Sequence, residues 1–332
     1  MTDPDDTPST RAEARRNTAD SSFQSHARSA RDEFEHQIEK ARADFEQANE
    51  RIIARSGRDL LAAIGIGLLI GAAVLASLVF VKWLFIIIAI PAVMLAVFEF
   101  VRALQASGRR VDLIAQEIAA ATVMLAAAFL DDTSHWVVIY AAVAFLVVYR
   151  LLKQMIARDG RRYGEVIGDV LVSGLVALYI PLLSSLALVL LRQDGGEYWL
   201  IAMIAITVAS DTGASAAGVA LGRHPMAPRI SPNKTWEGFG GAFLASAIVA
   251  VLIGMFVLHL PWWASLVIGV AILGTATLGD LGESMIKRDL GIKDMSSALP
   301  GHGGLLDRLD SILPSTVPAL ALYFLFSPLG SM

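Results

Sequence analysis

From residue 60 onward the chain is a succession of apolar runs separated by short charged loops. A helix needs about 20 apolar residues to cross the hydrocarbon core of a bilayer. Nine runs meet or approach that length: 60–79, 83–101, 112–130, 135–151, 167–191, 198–221, 238–259, 262–279 and 312–328. The first two almost fuse, with Lys82 and Trp83 marking a tight turn, and Pro181 interrupts the long fifth run. Upstream the pattern changes. Phe34, Ile38, Ala41, Phe45, Ala48 and Ile52 recur at alternating steps of four and three, which predicts an amphipathic helix over about 23–55. That seam suits either packing at the headgroups and on its own protein or pairing of two copies as a homodimer. The predicted fold is all-α: a polytopic membrane protein with about nine transmembrane helices over 58–332 and a soluble, partly helical N-terminal tail over 1–57.

Composition sharpens this division. Apolar residues make up 55% of the 332 and charged residues only 17%, against about 45–50% and 25% in soluble domains. Residues 1–59 alone hold 10 of the 27 Lys and Arg and 13 of the 31 Asp and Glu. The first six residues are polar and acidic, unlike the basic start of a signal peptide. There are no cysteines, so thiolate catalysis and Cys-ligated metal are excluded. A net charge of −4 gives no reason to expect nucleic acid as a partner.

Positive charge sets the orientation. With the tail inside, the loops around 102–111, 150–166, 222–237 and 280–311 carry fifteen Lys and Arg, whereas the opposite loops carry only Lys82 and Arg192. The N-terminus is therefore expected in the cytosol.

Two of the inside loops carry more than orientation. If the eighth run stays helical past Asp280, then Asp280, Glu283, Ser284 and Lys287 share one face. Asp307 and Asp310 stand three apart at the start of the last helix. Carboxylates from two helices facing each other suit a hard cation such as Mg²⁺, which takes oxygen ligands and completes its shell with water or phosphate. Gly303 and Gly304, after His302, offer backbone N–H groups to an anion at a helix start. In the other loop Ser231 reads as an N-cap with Pro232 at the first helical position, which places Lys234 and Thr235 in a phosphate-binding first turn. Asp211 lies roughly 16 Å deep in the sixth run by helical rise, and a carboxylate at that depth is a functional candidate.

The run Ser284-x-Ile286-Lys287-Arg288, Lys293-Asp294, Leu299-Pro300-x-His302-Gly303-Gly304-Leu305-x-Asp307-Arg308-Leu309-Asp310 resembles the signature of the phosphatidate cytidylyltransferase (CDP-diacylglycerol synthase) family at every fixed position. Ser231-Pro232-x-Lys234-Thr235-Trp236-x-Gly238 and Asp211-Thr212-Gly213-Ala214 are similar to two further family motifs, with Ser215 where a Tyr is common. The resemblance implies transfer of cytidylyl from CTP to phosphatidate in a bacterial-type plasma membrane, with Mg²⁺ and an open question of a second metal or a monovalent cation. It makes Asp280 and Asp307 the leading metal ligands, followed by Glu283, Asp310 and Asp211. Lys287, Arg288, Lys293, Lys234 and Arg308 are then expected to hold phosphates, with Ser231, Thr235, Ser284, His302, Gly303 and Gly304 as donors. Membrane lipids are the surroundings and the source of one substrate. A CTP-dependent kinase of a membrane alcohol and an anion transporter are the alternatives.

Overall fold

The computed structural model describes residues 60–157, 161–296 and 303–330, with side chains from residue 67. The tail and its heptad seam, and His302, lie outside the described residues. Residues 66–332 form one compact unit. Its helices are α1 Leu60–Phe80, α2 Lys82–Ala106, α3 Leu113–Phe129, α4 Asp132–Ile156, α5 Tyr163–Ala177, α6 Leu183–Arg192, α7 Gly196–Leu221, α8 Trp236–Phe256, α9 Trp262–Asp289, α10 Leu306–Leu309 and α11 Ile312–Phe326.

Each apolar run is a helix. Among the described residues seven helical segments are long and apolar enough to span a bilayer, and the Leu69–Phe80 part of α1 and Leu113–Phe129 are shorter. The seven fall where an integral membrane protein is expected to place them. The tight turn at residue 82 is a single extended residue, Val81, at φ −148° and ψ 95°. The fifth run is continuous but not regular. Pro181 has no N–H to give the helix, and a π turn over Leu178–Leu182 joins α5 to α6 there.

Packing inside the bundle relies on clusters of large apolar side chains and, where α7 meets α8, on small residues. Phe100 of α2, Met124 of α3, Ile180 of the π turn, Leu188 of α6 and Leu306 of α10 belong to one buried cluster. On α8 the buried positions are Gly238, Ala242, Ser246, Ala250 and Gly254, a stripe at four-residue steps. Gly241, one position before Ala242, faces α7 so closely that a Cβ there would stand 2.3 Å from the Ala217 Cβ and 2.6 Å from the Gly213 carbonyl oxygen. Small residues allow such backbone approach between membrane helices, where dispersion contacts must hold the pair. Gly240, one position earlier, instead faces open space.

Asp169 and the 150–166 loop have a structural role. Asp169 is fully buried on α5 and accepts from Arg150 at 2.7 Å, from Arg161, and from the Arg110 backbone N–H at 3.1 Å. Arg161 also donates to the Gly108 carbonyl at 2.8 Å. Arg161, read from sequence only as an orientation signal, thus fastens the α2–α3 turn to the start of α5.

Between α7 and α8 the chain forms a hairpin rather than an early helix. Strand β1 (Pro225–Ala227) pairs antiparallel with β2 (Ser231–Thr235), with Pro225 opposite Thr235 and Ala227 opposite Ser231.

Candidate active site

Five elements meet around a cavity of about 440 Å³, with α8 adding Gly238, Phe239 and Ala242 to its wall. Helix α7 brings Asp211 to its wall, the hairpin brings Lys234 and Thr235, α9 brings Asp280, and the α10–α11 junction brings Asp307, Arg308 and Asp310. Sequence reasoning named all seven. It missed Thr277, one turn before Asp280 on the same face of α9, and Ser311, the neighbour of Asp310.

The continuation of α9 past Asp280 to Asp289 gives the expected shared face. Asp280 forms an ion pair with Lys234 of the hairpin and accepts from Ser284 Oγ at 3.3 Å. One turn on, Lys287 Nζ lies 3.3 Å from Glu283 and 3.0 Å from Asp307. Glu283 is completely buried, and among the described residues neither of its oxygens has a hydrogen-bond partner. Position 279 explains how Asp310 arrives beside Asp280: a Cβ on Gly279 would sit 2.2 Å from the Asp310 carbonyl oxygen. Only glycine lets the backbone of the α10–α11 junction press onto α9.

Acids outnumber bases on the cavity wall. Asp211, Asp280 and Asp310 are close enough to repel one another, and Lys234 and Lys287 partly offset that charge. Such a wall, rich in carboxylate oxygens, has the hard-ligand chemistry of a divalent cation. Among the described residues no three acid or His side chains converge tightly enough to form a ready-made metal cage. Asp307 is the most occupied of the acids. Its carboxylate accepts from the Gly304 N–H at 2.8 Å and the Met295 N–H at 3.0 Å, besides Lys287.

Several expected donors stand elsewhere. Ser231 is not an N-cap, and Pro232, Lys234 and Thr235 do not occupy a first helical turn; all four belong to β2. The cap of α8 is Thr235, whose Oγ1 accepts from the Gly238 N–H at 3.1 Å. Strand pairing across the Ala227–Ser231 turn overrides the local Ser-Pro helix-start signal, and it sends Lys234 sideways to Asp280. Arg288 is exposed and donates to the Ile230 carbonyl at 3.3 Å, tying α9 to the hairpin. Lys293 is exposed away from the cavity. Gly303 takes the left-handed φ of +82°, and the Gly304 N–H is engaged by Asp307 rather than directed into the cavity.

A further residue, outside the cavity wall, also escaped sequence reasoning. Glu99 of α2 is 1% exposed and accepts from Ser296 Oγ at 2.6 Å, the Leu305 N–H at 3.0 Å and the Leu306 N–H at 2.9 Å. A lone carboxylate in an apolar helix is the same signal that singled out Asp211.

Residues 61–326 match the cytidylyltransferase family. A protein of Mycobacterium bovis named phosphatidate cytidylyltransferase is 38% identical over 275 residues, which cover 80% of this chain and 89% of that one. One of the same name from Mycobacterium leprae is 37% identical over 274 residues, 80% of this chain and 88% of its own. One from Staphylococcus epidermidis is 45% identical over 123 residues, 37% of this chain and 47% of its own.

Proposed function

This chain belongs to the cytidylyltransferase family, and we propose that it transfers the cytidylyl group of CTP to phosphatidate, giving CDP-diacylglycerol and pyrophosphate. The observation that carries the reading is the gathering of Asp211, Lys234, Asp280, Asp307, Arg308 and Asp310 around one cavity at the ends of apolar helices. A lipid phosphate and a nucleotide triphosphate are both anions, and a site that joins them must hold each while keeping them from repelling.

Phosphoryl-type transfer depends mainly on positioning and on neutralising charge. An oxygen of the phosphatidate phosphate attacks the α-phosphorus of CTP, and the bond from that phosphorus to the bridging oxygen breaks as pyrophosphate leaves. The protein supplies no covalent nucleophile. Lys234 and Arg308 are the bases on the wall and hold phosphate oxygens, while Thr235 and Ser311 supply hydroxyls. Lys287 acts from behind by orienting Asp307. The oxygen donors fit Mg²⁺, held by Asp280 and Asp310 with support from Asp211. Asp307 contributes less directly, because both its oxygens already accept backbone N–H groups. The cation supplies charge neutralisation between the two substrates. The cavity opens to the cytosol in this reading, where CTP is found and where fifteen of the seventeen basic residues outside the tail fall by sequence.

The test uses purified full-length protein with CTP labelled in the cytosine, phosphatidate and Mg²⁺. The label should pass into the lipid phase with release of one pyrophosphate per lipid formed. Release of CDP, with the terminal phosphate of CTP appearing on a lipid, would instead establish a kinase.

A further inference from the structure

Glu99 belongs to a helix, α2, that contributes nothing to the wall of the cavity. Its carboxylate nevertheless reaches the backbone that carries the site. Oε2 accepts from the N–H of Leu306, the first residue of α10, and Oε1 from the N–H of Leu305. The first N–H groups of a helix have no partner within it, and Leu306 is completely buried, so no solvent replaces Glu99 there. The approach is tight. A Cβ on Gly304 would stand 2.8 Å from Glu99 Oε2, so the glycine admits the carboxylate.

Met295 and Ser296 are held in parallel. Ser296 Oγ donates to Glu99 Oε1 at 2.6 Å, while the neighbouring Met295 N–H donates to Asp307 at 3.0 Å. Asp307 in turn accepts from the Gly304 N–H. Two carboxylates from different elements therefore hold Met295 and Ser296 together with Gly304, Leu305 and Leu306, Glu99 from α2 and Asp307 from α10.

Resting on the cytidylyltransferase reading, we propose that Glu99 is a positioning residue for the reaction: by holding the Leu305–Leu306 backbone it aims Asp307, Arg308 and Asp310 at the cavity. A carboxylate suits the task because both its oxygens accept. A glutamine has one acceptor oxygen and one NH₂ group. Whichever way it turns, a donor meets a donor at Leu305 or at Leu306. A misplacement of about 1 Å at a reacting centre costs about 100-fold in rate.

The experiment compares full-length parent, Glu99→Gln and Glu99→Asp, purified in detergent. It measures kcat and KM for CTP beside hydrogen exchange at the Leu305 and Leu306 amides. Glu99→Gln should lose about 100-fold in kcat with little change in KM and exchange faster at those two amides. Glu99→Asp keeps two acceptors and should recover about tenfold of that loss. A folded Glu99→Gln with parent kcat overturns the proposal. So does a loss that merely follows the folded fraction while exchange at Leu305 and Leu306 stays as in the parent. If Glu99→Gln does not fold, Glu99→Asp decides: slower turnover with faster exchange supports the role, and parent values for both overturn it. A parent that makes no CDP-diacylglycerol refutes the functional reading, while the exchange data still judge the clamp itself.

Discussion

At the scale of single residues, the site is organised by ion pairs that cross between elements. Asp280 on α9 meets Lys234 on the hairpin, and Lys287 on α9 meets Asp307 on α10. Asp280→Asn would keep the shape and remove the charge, leaving Lys234 unpaired and one ligand short. We expect at least about a 100-fold loss of turnover at saturating Mg²⁺ with a normal melting temperature, in line with the loss of electrostatic stabilisation at a phosphoryl centre. Near-parent turnover would remove Asp280 from the chemistry. Lys287 differs, because its ammonium stands between two acids, 3.0 Å from Asp307 and 3.3 Å from the completely buried Glu283. Breaking a buried pair by removing one partner costs about 3–5 kcal/mol. Lys287→Ala should therefore lower both activity and melting temperature. A melting temperature unmoved by Lys287→Ala would show that its pair with Asp307 contributes nothing to the fold. Asp280, Lys287 and Asp307 were legible in the sequence from helical spacing, whereas Lys234 was singled out through a helix start that the structure replaces with a strand. Glu99 was not, although it obeys the rule that marked Asp211. It lies seven residues from the end of its helix, flanked by Phe98 and Phe100, with no second charged residue at helical spacing inside the bundle to make it part of a pattern.

Among the secondary-structure elements, apolar periodicity located every long helix, because burial in lipid demands the same length and composition wherever a helix falls. Pro181 was correctly seen as an interruption, but its outcome, a π turn, depends on the packing of Tyr179 and Ile180 against α2 and α3, which no local pattern contains. The hairpin was misread for a related reason. Ser231-Pro232 is a sound local helix start, yet Pro225–Ala227 is the partner that decides, and its pairing is a contact between segments. The helix pair α7–α8 shows what small residues contribute. Gly241→Leu must place its side chain where Ala217 and the Gly213 backbone already stand. Overpacking of this kind costs about 1–3 kcal/mol, and here it also parts the helix bearing Asp211 from the one that follows Lys234. The expected result is a lower melting temperature together with reduced activity. Gly240→Ala, with open space at its Cβ, should match the parent in both. Equal behaviour of the two variants would mean that the helices are not in backbone contact.

For the molecule as a whole, composition separates a polar tail from a membrane body, and the match to the family begins only at residue 61. The proposed reaction needs a cavity that faces the compartment holding CTP, so the orientation of the chain tests it directly. The chain has no cysteine, which makes single introduced thiols clean reporters. Pro228 lies exposed at the hairpin turn beside the cavity, and Leu130 lies exposed between α3 and α4. In the nine-span reading these two positions fall on opposite sides of the membrane, since the loop at 130 carries none of the basic residues that mark the inner face. A membrane-impermeant thiol reagent applied to intact cells should label Leu130→Cys and should reach Pro228→Cys only after the membrane is opened. Both variants should retain activity, because neither side chain lines the cavity. Labelling of Pro228→Cys in intact cells would place Lys234 and the carboxylates outside, away from CTP. The substrate assignment would then fail even though the architecture of the site was right.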